Sequence, residues 1–313
     1  MPDTDKTREP TDSNRELERV LSELMSRYSE RVPDVARVLT ALTEAGHITS
    51  PQEVENDHIA FRTMGVPHLG IQSLEKIWLH YGYQRRDHYD FPAKKLDAHW
   101  YSPPEPRYPR IFISELRVDE LSQEAQAIIH SYTDQVERDP VNGLDLGDGR
   151  QVGKFLHHPL WPMPTWDDYQ LLAAESEYAA WVIYNRYYLN HFTISVHNLS
   201  EEVDTIPKFN GFIERHGIRL NDSGGKVKTS PDDLLRQSST VAQLVTSQFA
   251  DADPHQISGS YVEFAERRPL PEHAHLPKTK LTREQRREGF EAGNADKIFE
   301  STYSEQTKGN SAA

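Results

Sequence analysis

The sequence predicts an α+β protein built from two β-α-β-β-β modules, with additional N- and C-terminal helices. Two observations favour this class. A short extended stretch that opens with His58 recurs late in the chain as a stretch that opens with His191. Each stretch alternates polar and apolar residues as a strand does, and each precedes one helical pattern and three further extended segments. We therefore expect a structural repeat.

The first half of the chain is expected to hold a helical pair and one module. Residues 1–13 are charged and lack apolar periodicity, which predicts a disordered tail. Residues 14–47 carry two helical stripes and are predicted to form the pair, and residues 48–135 are predicted to form the first module. After its opening strand we expect one helix, three strands and a closing helix, at residues 74–81, 83–89, 94–101, 110–117 and 119–132.

The second half repeats this order after a connection. Residues 136–187 are predicted to be a connection followed by a helix that begins at a capping box of Thr165 and Asp168. Residues 188–268 are predicted to form the second module. After its opening strand we expect one helix and three strands, at residues 203–217, 226–229, 239–249 and 259–267. Residues 269–313 are predicted to form a C-terminal helical tail, with one helix that begins at Thr282 and a second helical stretch through Ile298 and Phe299. We expect residues 1–313 to form a single domain.

Composition excludes several classes of protein. The absence of cysteine rules out disulfides, thiolate metal sites and cysteine nucleophiles. A formal net charge of −14 argues against a general nucleic-acid binder. The mean hydropathy is −0.74, and neither a membrane span nor an apolar signal-peptide core is apparent. We therefore expect a cytoplasmic protein with a small-molecule ligand, no nucleic acid and no membrane; the oligomeric state is left open.

Polar side chains share one face of the predicted strands. His58 and Arg62 lie on the same side of the first strand, because side chains alternate between faces. His191 occupies the matching position of the second module. Its neighbour His197, on the same predicted face, is interpreted as a surface residue, with a role behind the metal ligands as the alternative. Two histidine-opened strands indicate one shared site.

Paired β-α-β-β-β modules resemble the vicinal oxygen chelate superfamily, in which they curve into a half-open barrel. In that plan metal ligands come from the first and last strands of the modules. The first strands offer His58 and His191, and the last strands offer Glu263 in the second module and Glu115 in the first. Two histidines and Glu263 would make a facial triad with open positions for substrate and O₂ on Fe(II). Glu115 as a fourth ligand would suit an isomerase or lyase.

Other residues are candidates for binding the substrate. Arg62 and His58 are four residues apart on one strand, about 13 Å along the backbone. Arg62 could bind a carboxylate whose other end chelates the metal, a contact worth about 1.5–3 kcal/mol. The substrate should therefore be acidic at both ends. Tyr261 and Ser239 are expected to line the pocket.

Five segments, spread from residue 58 to residue 302, carry a more specific resemblance. They are HIAFRT at 58–63, RIFISEL at 110–116, QSSTVA at 237–242, GSYVEFAER at 259–267 and GFEAGNADKIFEST at 289–302. In this order they resemble the 2-oxoadipate dioxygenase/decarboxylase family, and the resemblance covers most of the chain. Bacterial members of this family are longer in the second half, so the resemblance implies a 2-oxo dicarboxylic acid as the substrate class and not one particular acid.

The resemblance implies an enzyme with Fe(II) as its cofactor. It places His58, His191 and Glu263 as the metal ligands and Arg62 as the residue that binds the substrate carboxylate. The implied substrates are a 2-oxo dicarboxylic acid and O₂; with 2-oxoadipate, loss of one CO₂ and hydroxylation of the remaining five-carbon fragment give 2-hydroxyglutarate. Two alternatives remain open: a glyoxalase-like metal-dependent isomerase or lyase that uses Glu115, and a non-catalytic small-molecule-binding protein of the same fold.

Overall fold

The computed structural model describes residues 12–308. The helices of this part are α1 (Asp12–Arg31), α2 (Pro33–Glu44), α3 (Ile71–His80), α4 (Gln123–Thr133), α5 (Gly149–Phe155), α6 (Trp166–Glu175), α7 (Glu177–Asn185), α8 (Ile206–Arg215), α9 (Ala292–Phe299) and α10 (Ser304–Thr307). Its strands are β1 (Asn56–Met64), β2 (Gln84–Phe91), β3 (Leu96–Ser102), β4 (Arg110–Leu116), β5 (His191–Ser195), β6 (Lys228–Thr229), β7 (Leu235–Ser239), β8 (Leu244–Ser247), β9 (His255–Ser258) and β10 (Tyr261–Arg267). Most of the tail predicted at residues 1–13 lies outside the described residues.

Eight strands form one curled half-barrel sheet in the order β2-β3-β4-β1-β5-β10-β7-β6. Within the first module β1 pairs in parallel with β4, and within the second β5 pairs in parallel with β10. The modules meet where β1 and β5 pair antiparallel. The two halves of the sheet therefore repeat one topology about their shared centre, and the predicted fold class is confirmed.

The polar face of the central strands is buried. Every residue of β1 from Asp57 to Met64 is buried, and so is every residue of β5 and β10. The apolar face of these strands packs into the core, whereas the other face is covered by a segment near the C-terminus. We call residues 289–302, which include α9, the closing segment. Phe290, Ile298 and Phe299 of this segment are each at most 5% exposed.

Two predicted elements of the second half have different bounds. The helix expected from Thr165 to Tyr184 is divided at Ser176, whose extended backbone ends α6 and whose side chain accepts a hydrogen bond from Ala179 N to begin α7. The strand expected at residues 239–249 is wrong in its bounds and in its sheet. β7 ends at Ser239, and β8 belongs to a separate hairpin with β9. Polar residues dominate β7, so apolar alternation does not mark it.

The C-terminal helix predicted to begin at Thr282 is also wrong. A capping box of Thr282 and Gln285 is present, but it begins only a single 3₁₀ turn. Arg286 then forms a backbone bridge with Pro269, and Gly289 adopts a φ of 70°, which a helix cannot accommodate. The helix of this region is α9, ten residues later.

Candidate metal centre

Strand register brings three predicted ligands together. His191 on β5 lies opposite Ala60 on β1 and beside Tyr261 on β10. His58 and Glu263 are two residues away from these partners on their own strands, so both side chains point to the same face as His191. The shared face of β1, β5 and β10 thus carries two imidazoles and one carboxylate.

The three side chains lie within reach of one cation. The Nε2 atoms of His58 and His191 are 3.3 Å apart. Glu263 places Oε2 3.1 Å from His191 Nε2 and Oε1 3.5 Å from His58 Nε2. All three residues are buried, and among residues 12–308 they are the group of histidines and carboxylates whose spacing suits a metal ion.

The second nitrogen of each imidazole is held by the preceding residue. His58 Nδ1 lies 2.8 Å from Asp57 Oδ1, and His191 Nδ1 lies 3.1 Å from Asn190 Oδ1. Both oxygens are acceptors, so each Nδ1 donates and each Nε2 keeps its lone pair. Two imidazole lone pairs therefore converge with the carboxylate of Glu263, an arrangement that a divalent cation satisfies.

Burial and charge affect the two histidines differently. Burial alone would lower the pKa of His58, but the Glu263 carboxylate and the hydrogen bond to Asp57 outweigh burial and raise it. Burial, followed by the neighbouring His58 ring, lowers the pKa of His191 well below its usual range. His191 is thus a neutral ligand before any metal binds.

Asp57 is fixed as a charged carboxylate behind His58. Arg267 donates to it from Nε at 2.7 Å and from Nη2 at 2.9 Å, and Arg110 Nη1 donates at 3.2 Å. Burial opposes its charge, but the two guanidinium groups prevail and hold the pKa of Asp57 well below its usual range. A charged carboxylate on the outer nitrogen orients the ring and makes it a stronger ligand.

We expect Asp57→Asn to lower metal affinity about 10- to 100-fold, because the amide keeps the contact with His58 but loses the negative charge. Competition against a chromophoric chelator measures this change. Arg110→Gln is the matched control: it weakens the same ion-pair network while leaving the carboxylate on His58. An equal loss of affinity in both variants would mean that the network acts only through folding stability.

The face that carries His58, His191 and Glu263 opens into a small cavity. It is lined by His58, Phe112, His191, Gln237, Tyr261, Glu263, Phe290, Ala295, Ile298 and Phe299. Gln237 Nε2 donates to Glu263 Oε1 at 2.6 Å, and Asn294 Nδ2 of the closing segment donates to Gln237 Oε1 at 3.0 Å. The volume of about 20 Å³ accommodates a water molecule or an ion and not a dicarboxylic acid.

Comparison with known proteins identifies the family. The sequence model of the 2-oxoadipate dioxygenase/decarboxylase family matches residues 20–278. The chain belongs to this family. The Arabidopsis thaliana chloroplastic 2-oxoadipate dioxygenase/decarboxylase is 43% identical over 92% of this chain and 77% of its own length.

Solved structures agree with this membership. The crystal structure of the Oryza sativa hydroxyglutarate synthase in complex with 2-oxoadipate has a TM-score of 0.85 at 41% identity and covers 98% of both chains. A putative glyoxalase superfamily protein from Ralstonia eutropha shares the fold, with a TM-score of 0.68 at 21% identity, over 93% of this chain and 91% of its own. The fold is thus that of the vicinal oxygen chelate enzymes.

The expectation of a cytoplasmic protein stays a prediction. The Arabidopsis relative of this 2-oxoadipate dioxygenase/decarboxylase family is named chloroplastic, which does not support it. Across residues 12–308, the helices are all too short or too polar to cross a membrane.

Glu115 does not join the three ligands in this member of the family. The parallel registers pair His58 with Arg110 in the first module and His191 with Tyr261 in the second. Two residues further along the last strands, the counterpart of Glu263 is therefore Phe112, which lines the cavity. Glu115 is three residues from Phe112 on the same strand, so its side chain points to the opposite face of the sheet. Its Oε2 accepts a hydrogen bond of 2.7 Å from Ile71 N at the start of α3. Glu115 is therefore a hydrogen-bonding residue, and the alternative in which it is a fourth ligand is not supported.

Arg62 lies at the edge of the site, held by the closing segment. Nη1 donates to Thr302 Oγ1 and Nη2 donates to the Phe299 carbonyl, both at 2.9 Å. Its guanidinium lies over the Tyr178 and Trp181 rings at 5.1 and 5.2 Å. Nε is buried and has no hydrogen-bond partner within residues 12–308. Arg62 is thus a fully buried cation whose neighbours are mostly neutral.

The other two predicted substrate contacts have different surroundings. Tyr261 lines the cavity, and its buried hydroxyl has no partner in the described part of the chain. The ring of Tyr261 lies 4.9 Å from that of His191. Ser239 does not line the cavity. Its hydroxyl lies 2.8 Å from that of Ser301 in the closing segment, with which it forms a hydrogen bond.

His197 is buried and not a surface residue as expected. β5 ends at Ser195, so His197 leaves the strand and its Nδ1 accepts a hydrogen bond of 3.2 Å from Arg267 N. Burial, and then the charge of Arg286, lower the pKa of His197 to about 3. A protonated ring would lose this acceptor, so the folded protein keeps His197 neutral.

This shift predicts an acid-sensitive stability. Between pH 6.5 and pH 3 the unfolded chain binds a proton at His197 that the folded chain does not, so the free energy of unfolding falls as pH falls. The loss from about pH 7 to pH 5 should be about 2 kcal/mol for this residue. Urea unfolding of His197→Asn, which retains an acceptor at the Nδ1 position, should show a shallower pH dependence by that amount. Parallel curves would contradict the assignment.

Sequence reasoning missed the parts of the site that the closing segment supplies. Asn294 and the aromatic wall of Phe290 and Phe299 lie far along the chain from the ligands and carry no ligand chemistry. The sequence of this segment carries part of the family resemblance but predicts no ligand and no substrate contact. Gln237, which orients Glu263, belongs to a polar run in the sequence. A polar strand residue beside a buried carboxylate is a candidate hydrogen-bond partner, so this role could have been predicted.

Proposed function

We propose that this protein is an Fe(II)-dependent dioxygenase/decarboxylase that converts a 2-oxo dicarboxylic acid, 2-oxoadipate, to 2-hydroxyglutarate and CO₂. The observation that carries the proposal is the convergence of His58, His191 and Glu263. The residue of the first module that corresponds to Glu263 is Phe112, which has no metal-binding atom. Membership of the family and the similarity to a hydroxyglutarate synthase crystallised with 2-oxoadipate support the substrate class.

The ligand set suits iron and leaves room for reactants. Two neutral imidazoles and one carboxylate on one face are the donors of non-haem Fe(II) oxygenases. Fe(II) held there would supply open positions for chelation of the 2-oxo acid and for activation of O₂. Phe112, the counterpart of Glu263 in the first module, offers no ligand atom, so the protein itself does not fill those positions. An isomerase that needs a fourth protein ligand is correspondingly disfavoured.

Surrounding residues keep the ligands in place and water out. Gln237 holds one carboxylate oxygen of Glu263, and Asn294 orients Gln237. Asp57 and Asn190 hold the two imidazole rings. The aromatic rings of Phe112, Phe290 and Phe299 cover the face where reactants would lie, which excludes water from a reaction that consumes O₂.

The closing segment must move before a dicarboxylic acid can enter. Its side chains fill the space above the ligands, and the cavity is too small for such a substrate. The same segment occupies the donors of Arg62 through Thr302 and Phe299, and the hydroxyl of Ser239 through Ser301. Its displacement would free Arg62 for the distal carboxylate of the substrate, with Ser239 and Tyr261 as further donors. One movement would thus open the site and expose its binding groups.

Oxygen uptake tests the proposal directly. The Fe(II)-loaded protein is supplied with 2-oxoadipate, with shorter and branched 2-oxo acids, and with CO₂ release followed in parallel. We expect O₂ uptake matched by CO₂ release with 2-oxoadipate. Turnover of the acid without O₂ would favour the isomerase or lyase, and absence of turnover on every acid despite bound metal would favour a binding protein.

A further inference from the structure

A second cavity, of about 110 Å³, lies beside Asp57. We call it the arginine cavity, and it is lined by Glu55, Asp57, Arg110, His197, Asn198, Arg267, Leu281, Arg283 and Arg286. It shares no lining residue with the cavity above the metal ligands. Four guanidinium groups around so small a volume distinguish it from the other cavities of residues 12–308.

Two of the four arginines have their donors largely occupied. Arg267 binds Asp57 through two nitrogens and donates from Nη1 to the carbonyls of Arg287 and Gly289. Arg110 binds Asp57 and donates to Glu288 from Nε and Nη2. These two side chains form the wall of the arginine cavity and hold Asp57 in place.

The other two arginines keep donors in reserve. Arg286 is 6% exposed, and the hydrogen bond that its guanidinium makes runs from Nη1 to the Arg267 carbonyl at 2.8 Å. Arg283 donates from Nη1 to the carbonyls of Pro106 and Tyr108, but its buried Nη2 has no partner within the described residues. Arg283 also forms an ion pair with Glu288, with 3.7 Å between Nε and Oε1. A buried guanidinium nitrogen without an acceptor is costly, so Nη2 of Arg283 favours an added acceptor, and the free donors of Arg286 can bind the same group.

The positive charges of the cavity are also incompletely balanced. Burial, and then the charge of Arg267, lower the pKa of Arg110 to about 10. Burial also lowers the pKa of Arg286, and the charge of Glu55 raises it by less. The carboxylate of Glu55 is itself bound by Ser195 and by Asn198. An added negative charge would therefore be stabilised here.

We propose that the arginine cavity is a binding site for a small oxyanion, a phosphate or a short carboxylate, held by Arg283 and Arg286. The planar guanidinium group matches both anions, because its parallel N–H bonds meet two oxygens at once. A volume of 110 Å³ holds a few water molecules, and one such anion replaces them. The site is separate from the one assigned to the 2-oxo acid.

Anion titration of the full chain tests this site. Thermal unfolding is followed with increasing phosphate or succinate, with potassium chloride at matched ionic strength as the reference. Both the metal-loaded and the metal-free protein are titrated, because an anion that binds the metal acts only on the former. We expect a saturable rise of the unfolding temperature in both forms, and the stronger of the two anions identifies the preferred class.

Substitutions place the anion in the arginine cavity. Arg286→Gln and Arg283→Gln should each weaken anion binding about tenfold or more. Arg283→Gln keeps the test valid if the more buried Arg286→Gln fails to fold. Arg268→Gln is the matched control, since it removes the same charge from a side chain that binds Asp233 outside the cavity. No saturable effect beyond chloride, or an equal loss in the control, would overturn the proposal.

Discussion

His191→Ala is expected to abolish metal binding at the site and, with it, O₂ uptake. Removal of His191 leaves His58 and Glu263, too few donors to hold a divalent cation at ordinary concentrations. Loss of an outer partner such as Asp57 lowers metal affinity about 10- to 100-fold, and the loss of His191 should lower it further. Isothermal titration with Fe(II) under anaerobic conditions, or with Co(II) as a spectroscopic substitute, measures the change.

Two further variants show whether the loss reflects coordination. Glu263→Gln preserves the size of the side chain and an acceptor for Gln237 but removes the charged ligand, so it should lose metal binding as His191→Ala does. His157→Ala removes a half-buried histidine whose Nδ1 binds the Gly153 carbonyl far from the site, and it should bind metal normally. Wild-type affinity in both His191→Ala and Glu263→Gln would refute the assigned ligands.

The convergence of the three predicted ligands could be predicted from sequence for two reasons. Alternation along a strand fixes which residues share a face, and the resemblance to the vicinal oxygen chelate plan implies that the first and last strands of the modules meet. His58 and His191 occupy matching positions of the two opening strands. Glu263 needed only the correct parity on the last strand of the second module.

The same regularity explains why the alternative with Glu115 as a fourth ligand fails. Alternation along β4 places Phe112 and Ser114 on the face of the three predicted ligands and Glu115 on the other face. The structure shows what Glu115 does instead: it accepts the Ile71 N–H at the start of α3. A polar residue in a strand satisfies a nearby backbone group as readily as a metal.

The closing segment and residues 282–288, which precede it, illustrate what local patterns do not encode. Residues 282–288 are highly charged, which predicts an exposed helix, yet the structure buries the Arg286 side chain against the sheet. The contacts that fix the segment are Arg62 with Thr302, Gln237 with Asn294 and Ser239 with Ser301, each between residues far apart in sequence. Such pairs depend on the folded sheet and leave no periodicity in the chain.

Arg62→Met is expected to raise the KM for 2-oxoadipate about 10- to 100-fold while metal affinity stays unchanged. A charge-assisted contact with a carboxylate is worth about 1.5–3 kcal/mol, and tenfold corresponds to about 1.4 kcal/mol. Methionine is preferred to alanine because it fills the space between Tyr178 and Trp181 and limits the cavity that truncation would leave. Steady-state O₂ uptake measures the KM, and chelator competition measures the metal affinity.

The choice of substrate separates binding from packing. If Arg62 binds the distal carboxylate, the rise in KM must appear with 2-oxoadipate and be absent with a 2-oxo monocarboxylic acid of the same chain length. Arg186→Met is the matched control, because Arg186 is another buried arginine, held by the Trp161 and Pro162 carbonyls away from the site. It should lose stability without a change in KM. An equal penalty for the mono- and dicarboxylic acids in Arg62→Met would instead mean that Arg62 only holds the closing segment through Thr302 and Phe299.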